Sequence, residues 1–90
     1  MMIERAKILV SDGSQFDPAG YEVNLRPLHA SEGGGWLAVI PRLPGCTGDG
    51  ETEIEAIEDV RMAAWEWASA AAADGDPIPA PTNRNPLAAE

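Results

Sequence analysis

Residues Thr52 to Pro77, TEIEAIEDVRMAAWEWASAAAADGDP, mark both ends and the facing of one long helix. Thr52 followed three positions later by Glu55 is a capping box, in which a hydroxyl and a carboxylate each accept from a backbone N–H that the helix start leaves unpaired. Gly75 supplies a left-handed C-terminal cap and Pro77 prevents continuation. The spacing predicts a helix of about 22 residues beginning near Glu53. At about 100° per residue, Ile54, Ile57, Val60, Ala64, Ala68 and Ala71 share one face and Glu55, Asp59, Glu66 and Ser69 the opposite one. Trp65 and Trp67 lie at the two edges of the apolar face, and Arg61 falls inside it, where its stem can pack while its head reaches water. Glu51, Glu53, Glu55, Glu58 and Asp59 crowd the first turns, where the helix dipole favours negative charge.

A helix with one apolar face needs a second layer, and the preceding residues are expected to supply it as strands. In YEVNLRPL, Tyr21, Val23 and Leu25 alternate with Glu22, Asn24 and Arg26, the period of a half-buried strand. Pro27 follows and cannot donate to a ladder, so this strand belongs at an edge or carries a bulge. SEGGG, Ser31 to Gly35, is a flexible turn, and GWLAVIP is a second strand, antiparallel across the hairpin-length loop. Its Trp36, Ala38, Ile40 face and its Leu37, Val39 face are both apolar. The helix covers one; the other calls for a loop, the N-terminal segment or another chain. IPRLPGCTGDGET, Ile40 to Thr52, then joins strand to helix through a short extended piece: its prolines end the strand and its glycines permit tight turning.

The fold class expected is therefore α+β, a small antiparallel sheet of about three strands with one long amphipathic helix on one face, in the order β-β-β-α-β. The last strand rests on PIPAPT, where Ile78 is the residue able to dock as a short strand or hook. Residues 1–19 read as an N-terminal extension, in which AKILV is a short strand or a helical turn and SDGSQFDPAG is loop. Residues 20–82 form the domain, and 83–90 a flexible C-terminal tail.

Catalysis by a triad or a metal brings several specific groups together, and the chain has one His, one Cys and one Tyr. Cys46 with His29 is the one possible thiol–imidazole pair, and no third group supports it. Cys46 reads as a small residue packed in a tight turn, and His29 as a surface residue. Imidazole and thiolate are too few for a zinc site, and Asp49, Glu51, Glu53 and Glu55 lack the spacing of a calcium loop. Gly48–Asp49–Gly50 before a helix is not a phosphate loop, because the neighbouring carboxylates repel an anion more than the dipole attracts it. No cofactor is expected, and the chain is expected not to be an enzyme. With 15 acidic against 6 basic residues, the net charge of −9 repels nucleic acid and favours encounter with a basic protein. No apolar run approaches a membrane span and no signal-peptide pattern opens the chain, so the expected place is the cytoplasm.

From the glycine-rich hairpin through LPGC, the GDGET segment and the long helix to DGDPIPAP, the chain resembles the HicB antitoxin family over about Tyr21 to Thr82. The resemblance implies a partial ribonuclease-H-like unit of a small sheet and one helix. It also implies a function: HicB antitoxins bind over small basic HicA toxins, which cut messenger RNA, and block the toxin's active site. A HicA-type toxin is then the expected partner, with a homo-oligomer, dimer or tetramer, as the expected state. The expected contacts are Arg42, Asp49 and Glu51 around the turn, Glu55, Asp59 and Glu66 on the polar helix face, and Trp65 or Trp67 at an edge. No ribbon-helix-helix or helix-turn-helix pattern occurs in these residues, so direct DNA binding is not expected. The alternative is a solitary scaffold or self-assembling binding module of the same fold, with no toxin.

Overall fold

The computed structural model describes residues 8–81. Three short strands, β1 (Asn24–Pro27), β2 (Trp36–Val39) and β3 (Thr47–Gly50), form an antiparallel sheet in chain order, and one helix, α1 (Glu53–Asp74), packs across it. The fold is thus the α+β arrangement of a small antiparallel sheet with a long helix on one face. Short 3₁₀ turns occupy Pro18–Gly20, before β1, and Ala30–Glu32, within the hairpin.

Sheet register follows from the alternation. Leu25 pairs with Ala38 and Ala38 with Gly48, so these three share the helix-facing side. Ala38 and Ile40 are fully buried there and Trp36 is half-buried. Leu37 and Val39 point to the other face, half-buried and outside the core cluster, between Arg26 and Asp49 and between Asn24 and Thr47. Pro27 lies on the sheet edge. The Leu28 N–H bonds to the Gly35 carbonyl, so pairing alternates to leave position 27 facing outward, where the missing N–H removes no ladder bond.

Helix α1 has the bounds its caps predict. The Thr52 hydroxyl accepts from the Glu55 N–H at 3.1 Å, and Gly75, at φ +76°, closes the other end. Half of the expected capping box is different: the Glu55 carboxylate accepts from the N–H of Glu51 at 3.0 Å rather than from that of Thr52. The apolar face is also rotated from the expected one. Ala56, Val60, Ala64, Ala68 and Ala71 form the buried seam, whereas Ile54 is 67% exposed. The cause lies in β3. An added Cβ at Gly48 would stand 2.4 Å from the Val60 nitrogen, and one at Gly50 2.6 Å from the Ala56 nitrogen. The helix backbone sits almost against the strand, and an alanine-lined seam is the face that allows this approach. Gly48 and Gly50 therefore serve contact rather than turning; in the Ile40–Thr52 stretch only Gly45 has a positive φ, +85°.

Residues 8–19 are not separable from the domain. Ile8, Val10 and Phe16 belong to the same buried cluster as Ile40, Leu43 and Val60, and Pro18 is buried too. Within AKILV, Leu9 forms an isolated bridge with Gln15 rather than a ladder strand, and Ala6 and Lys7 lie outside the described residues. The expected final strand is instead a hook. Ile78 is buried, its carbonyl accepts from Ser11 N–H at 2.8 Å, and the Tyr21 hydroxyl donates to the carbonyl of Pro79. The expected tail, 83–90, lies outside the described residues.

Candidate functional site

The β3–α1 junction gathers most of the acidic residues singled out above. Because Ile40 N–H bonds to Cys46 O, the β2–β3 ladder leaves Thr47 and Asp49 with backbone groups facing the free edge. Asp59, nearly two turns into the helix, reaches across and accepts from the Asp49 N–H at 2.9 Å. That bond closes part of the edge and fixes the Asp59 carboxylate against the Asp49 backbone. Glu55 is held in the same way by the Glu51 N–H at 3.0 Å. Two exposed carboxylates are thus aimed by backbone donors, and two more, Asp49 and Glu51, project from the donor residues themselves.

Beside them lies an open concavity of about 590 Å³, lined by Asp49, Gly50, Glu51 and Glu55 on one side and by Gly33, Gly34 and Gly35 on the other. The glycine wall is a product of the hairpin: all three residues have positive φ, and a Cβ at Gly35 would meet the Gly50 carbonyl oxygen at 2.5 Å. The concavity therefore has carboxylates, backbone and no basic side chain in its lining. Its chemistry suits an ammonium or guanidinium group carried on another molecule, which a carboxylate pair receives as charge-assisted hydrogen bonds. Among the described residues, no group of three His, Cys, Asp or Glu side chains is placed to hold a metal ion.

The other expected contact residues lie elsewhere. Glu66 is exposed further along α1. The Arg42 Nε donates to the Ala80 carbonyl at 2.8 Å, so this side chain ties the C-terminal hook to the loop after β2. Trp67 is half-buried and its Nε1 donates to the Pro44 carbonyl at 2.8 Å, locking the LPGC turn onto the helix. Trp65, half-buried, meets Phe16 edge-on, with ring centroids 5.1 Å apart. Both indoles thus contribute to the chain's own packing while keeping an exposed edge. The sequence reading did not single out Gly33–Gly35 as part of a site; three consecutive glycines opposite a short strand were the available signal.

Cys46 is buried, with Sγ 3.7 Å from the Val60 carbonyl oxygen, and burial pushes its thiol pKa up. A protonated, enclosed thiol is a poor nucleophile. His29 is exposed at the start of the Ala30–Glu32 turn.

No family model, curated protein or solved structure matches this chain. Among the described residues, no helix is long and apolar enough to cross a membrane.

Proposed function

We propose that this chain is a HicB-like antitoxin domain that acts in the cytoplasm, without catalysis of its own, by binding a small basic HicA-type toxin that cleaves messenger RNA. The observation that carries the reading is the convergence of Asp49, Glu51, Glu55 and Asp59 at one sheet–helix junction, two of them aimed by backbone N–H groups. A surface built in this way offers a basic partner ordered carboxylates at little further entropic cost. The net charge of −9 acts in the same direction by steering a cationic protein toward the domain. The LPGC, GDGET and DGDPIPAP motifs support the same assignment through their resemblance to HicB antitoxins.

In this reading the toxin's lysines and arginines, which otherwise contact RNA phosphates, meet the β3–α1 acids instead, and inhibition is competition for a cationic surface. Glu66 extends the acidic track along α1. The second reading, a solitary self-assembling module, draws on Leu37 and Val39, which stand on the sheet face away from the helix. Co-expression with the product of a short reading frame adjacent to this gene separates the two, and the lack of any such frame for a small basic protein favours the second. A complex and restored growth are expected; failure to form a complex and failure to restore growth overturn the antitoxin reading.

A further inference from the structure

An aspartate followed by glycine can modify its own backbone, because the glycine nitrogen is able to attack the aspartate Cγ with no Cβ in the way. The chain has three such pairs, Asp12–Gly13, Asp49–Gly50 and Asp74–Gly75, and their folded surroundings differ. Gly50 pairs with Trp36 in the sheet, and an added Cβ there would stand 2.6 Å from the Ala56 nitrogen, so helix backbone crowds it. The Gly75 N–H is held by the carbonyls of both Ala71 and Ala72 in the last turn of α1. At neither of these pairs does a hydrogen bond among the described residues aim the aspartate carboxyl at the following peptide.

Asp12–Gly13 is arranged otherwise. The pair is the exposed tip of a tight turn in which the Val10 N–H donates to the Ser14 carbonyl at 2.9 Å. Asp12 Oδ1 accepts from the Ser14 N–H at 2.9 Å and from the Ser14 hydroxyl at 2.6 Å. A carboxyl that reaches the N–H two residues ahead folds back across the peptide between them, which contains the Gly13 nitrogen. Gly13 has φ +90°, and a Cβ built on it would meet nothing within 4 Å, so the turn is open to water. Its N–H donates to the Val10 carbonyl at 2.8 Å, a bond in an exposed turn that the reaction must break.

We propose that Asp12 is a site of spontaneous isoaspartate formation, promoted by Ser14. In the protonated carboxyl, attack by the Gly13 nitrogen forms a C–N bond at Cγ and places a negative charge on Oδ1, while the N–H proton passes to water. The oxyanion re-forms a carbonyl, and Oδ2 takes up a proton and leaves as water, which closes a cyclic imide. Water then adds at either imide carbonyl. Addition at Cγ restores aspartate; addition at the main-chain carbon routes the backbone through the Asp12 side chain and frees an α-carboxylate. An ionised carboxyl spreads its charge over two oxygens, whereas the intermediate concentrates it on Oδ1, so the two Ser14 donors bind the intermediate more strongly than the resting group. The extra backbone methylene enters a turn whose neighbours hold the fold together: Val10 is buried, and the Ser11 N–H donates to the Ile78 carbonyl at 2.8 Å. The inference does not depend on the antitoxin reading.

The test is to hold the full chain in mildly acidic buffer at body temperature for several weeks, digest it, and separate isoaspartyl from aspartyl peptides of equal mass by chromatography. Methyl transfer by an isoaspartyl-specific methyltransferase checks each assignment. In the folded protein isoaspartate should accumulate at Asp12 at least about tenfold faster than at Asp49 or Asp74. In denaturant the three rates should converge, since the arrangement around each pair is lost. Ser14→Ala keeps the N–H and removes the hydroxyl, and should slow the folded reaction about threefold to tenfold while leaving the denatured rate unchanged. The comparison of folded with denatured parent stands whether or not that variant folds. Asp12 reacting no faster than the other two, a preference that survives denaturant, or a folded Ser14→Ala chain that reacts at the parent's rate overturns the inference.

Discussion

Gly48→Ala places one methyl group where α1 meets β3. The added Cβ would lie 2.4 Å from the Val60 nitrogen, 2.7 Å from its Cα and 2.8 Å from the Asp59 carbonyl carbon, against the 3.4 Å at which ordinary contact begins. All three are helix backbone, so no side chain can swing aside. The helix must move by about 1 Å, and a gap of 0.5–1 Å forfeits roughly a quarter to a half of each dispersion contact along the seam. Overpacking typically costs about 1–3 kcal/mol, and the rigid neighbours place this case at about 3 kcal/mol. For a domain whose total stability is about 5–15 kcal/mol, that is a large share. Urea denaturation at constant m measures the change, and thermal unfolding should show a fall of roughly 12–24 °C for a domain of this size. Gly45→Ala is the control: nothing lies within 4 Å of its added Cβ, and its cost is the left-handed backbone, φ +85°, at about 1–2 kcal/mol. A Gly48→Ala protein within about 0.5 kcal/mol of the parent would refute the close-approach argument.

Other outcomes follow from the same contacts. Ile78→Ala should cost about 2–5 kcal/mol in chemical denaturation, since Ile78 is 3% exposed and seals the core through the hook; a change under about 0.5 kcal/mol would show the hook to be dispensable. Thr52→Ala removes the hydroxyl that accepts from Glu55 N–H and should cost about 1 kcal/mol, with helicity otherwise retained by circular dichroism. Cys46 should be unreactive toward a thiol reagent in the folded protein at pH 8 and react at once in denaturant. Because burial raises its pKa, the unfolded chain ionises first as pH rises past about 9, so stability is full below that pH and declines above it. Cys46→Ser or Cys46→Ala should flatten that alkaline limb.

Much of the architecture was legible because it is written in local chemistry. Thr52, Gly75 and Pro77 bound the helix through capping, and the bounds Glu53 to Asp74 follow. Pro27, through its missing donor, limited β1 to an edge or a bulge, and the sheet order makes it an edge. What was not legible depends on distance between segments. Ile54 and Ala56 are both apolar enough for a core, and the glycines of β3 decide between them by drawing the alanine seam in. Phe16 looks like part of a loop until Trp65 packs on it, and Ile78, legible as a docking residue, did not show that Ser11 is its partner. At the candidate site, the acids were legible as a cluster in sequence. The Asp49–Asp59 bond and the Gly33–Gly35 wall were not, since the first depends on how α1 packs across β3 and the second on the hairpin's approach to Gly50.

The measurement closest to the central claim is a calorimetric titration of this chain with the proposed partner, a small basic protein expressed from an adjacent short reading frame, alongside an RNA-cleavage assay of that protein. Asp49→Asn with Glu51→Gln removes charge from two side chains while leaving intact the backbone bonds that hold Asp59 and Glu55. The expected result is a stoichiometric complex that suppresses cleavage, with an affinity that falls as salt rises and by about tenfold or more in the double variant. A titration with no heat and undiminished cleavage, or binding indifferent to both salt and the double variant, would contradict the account.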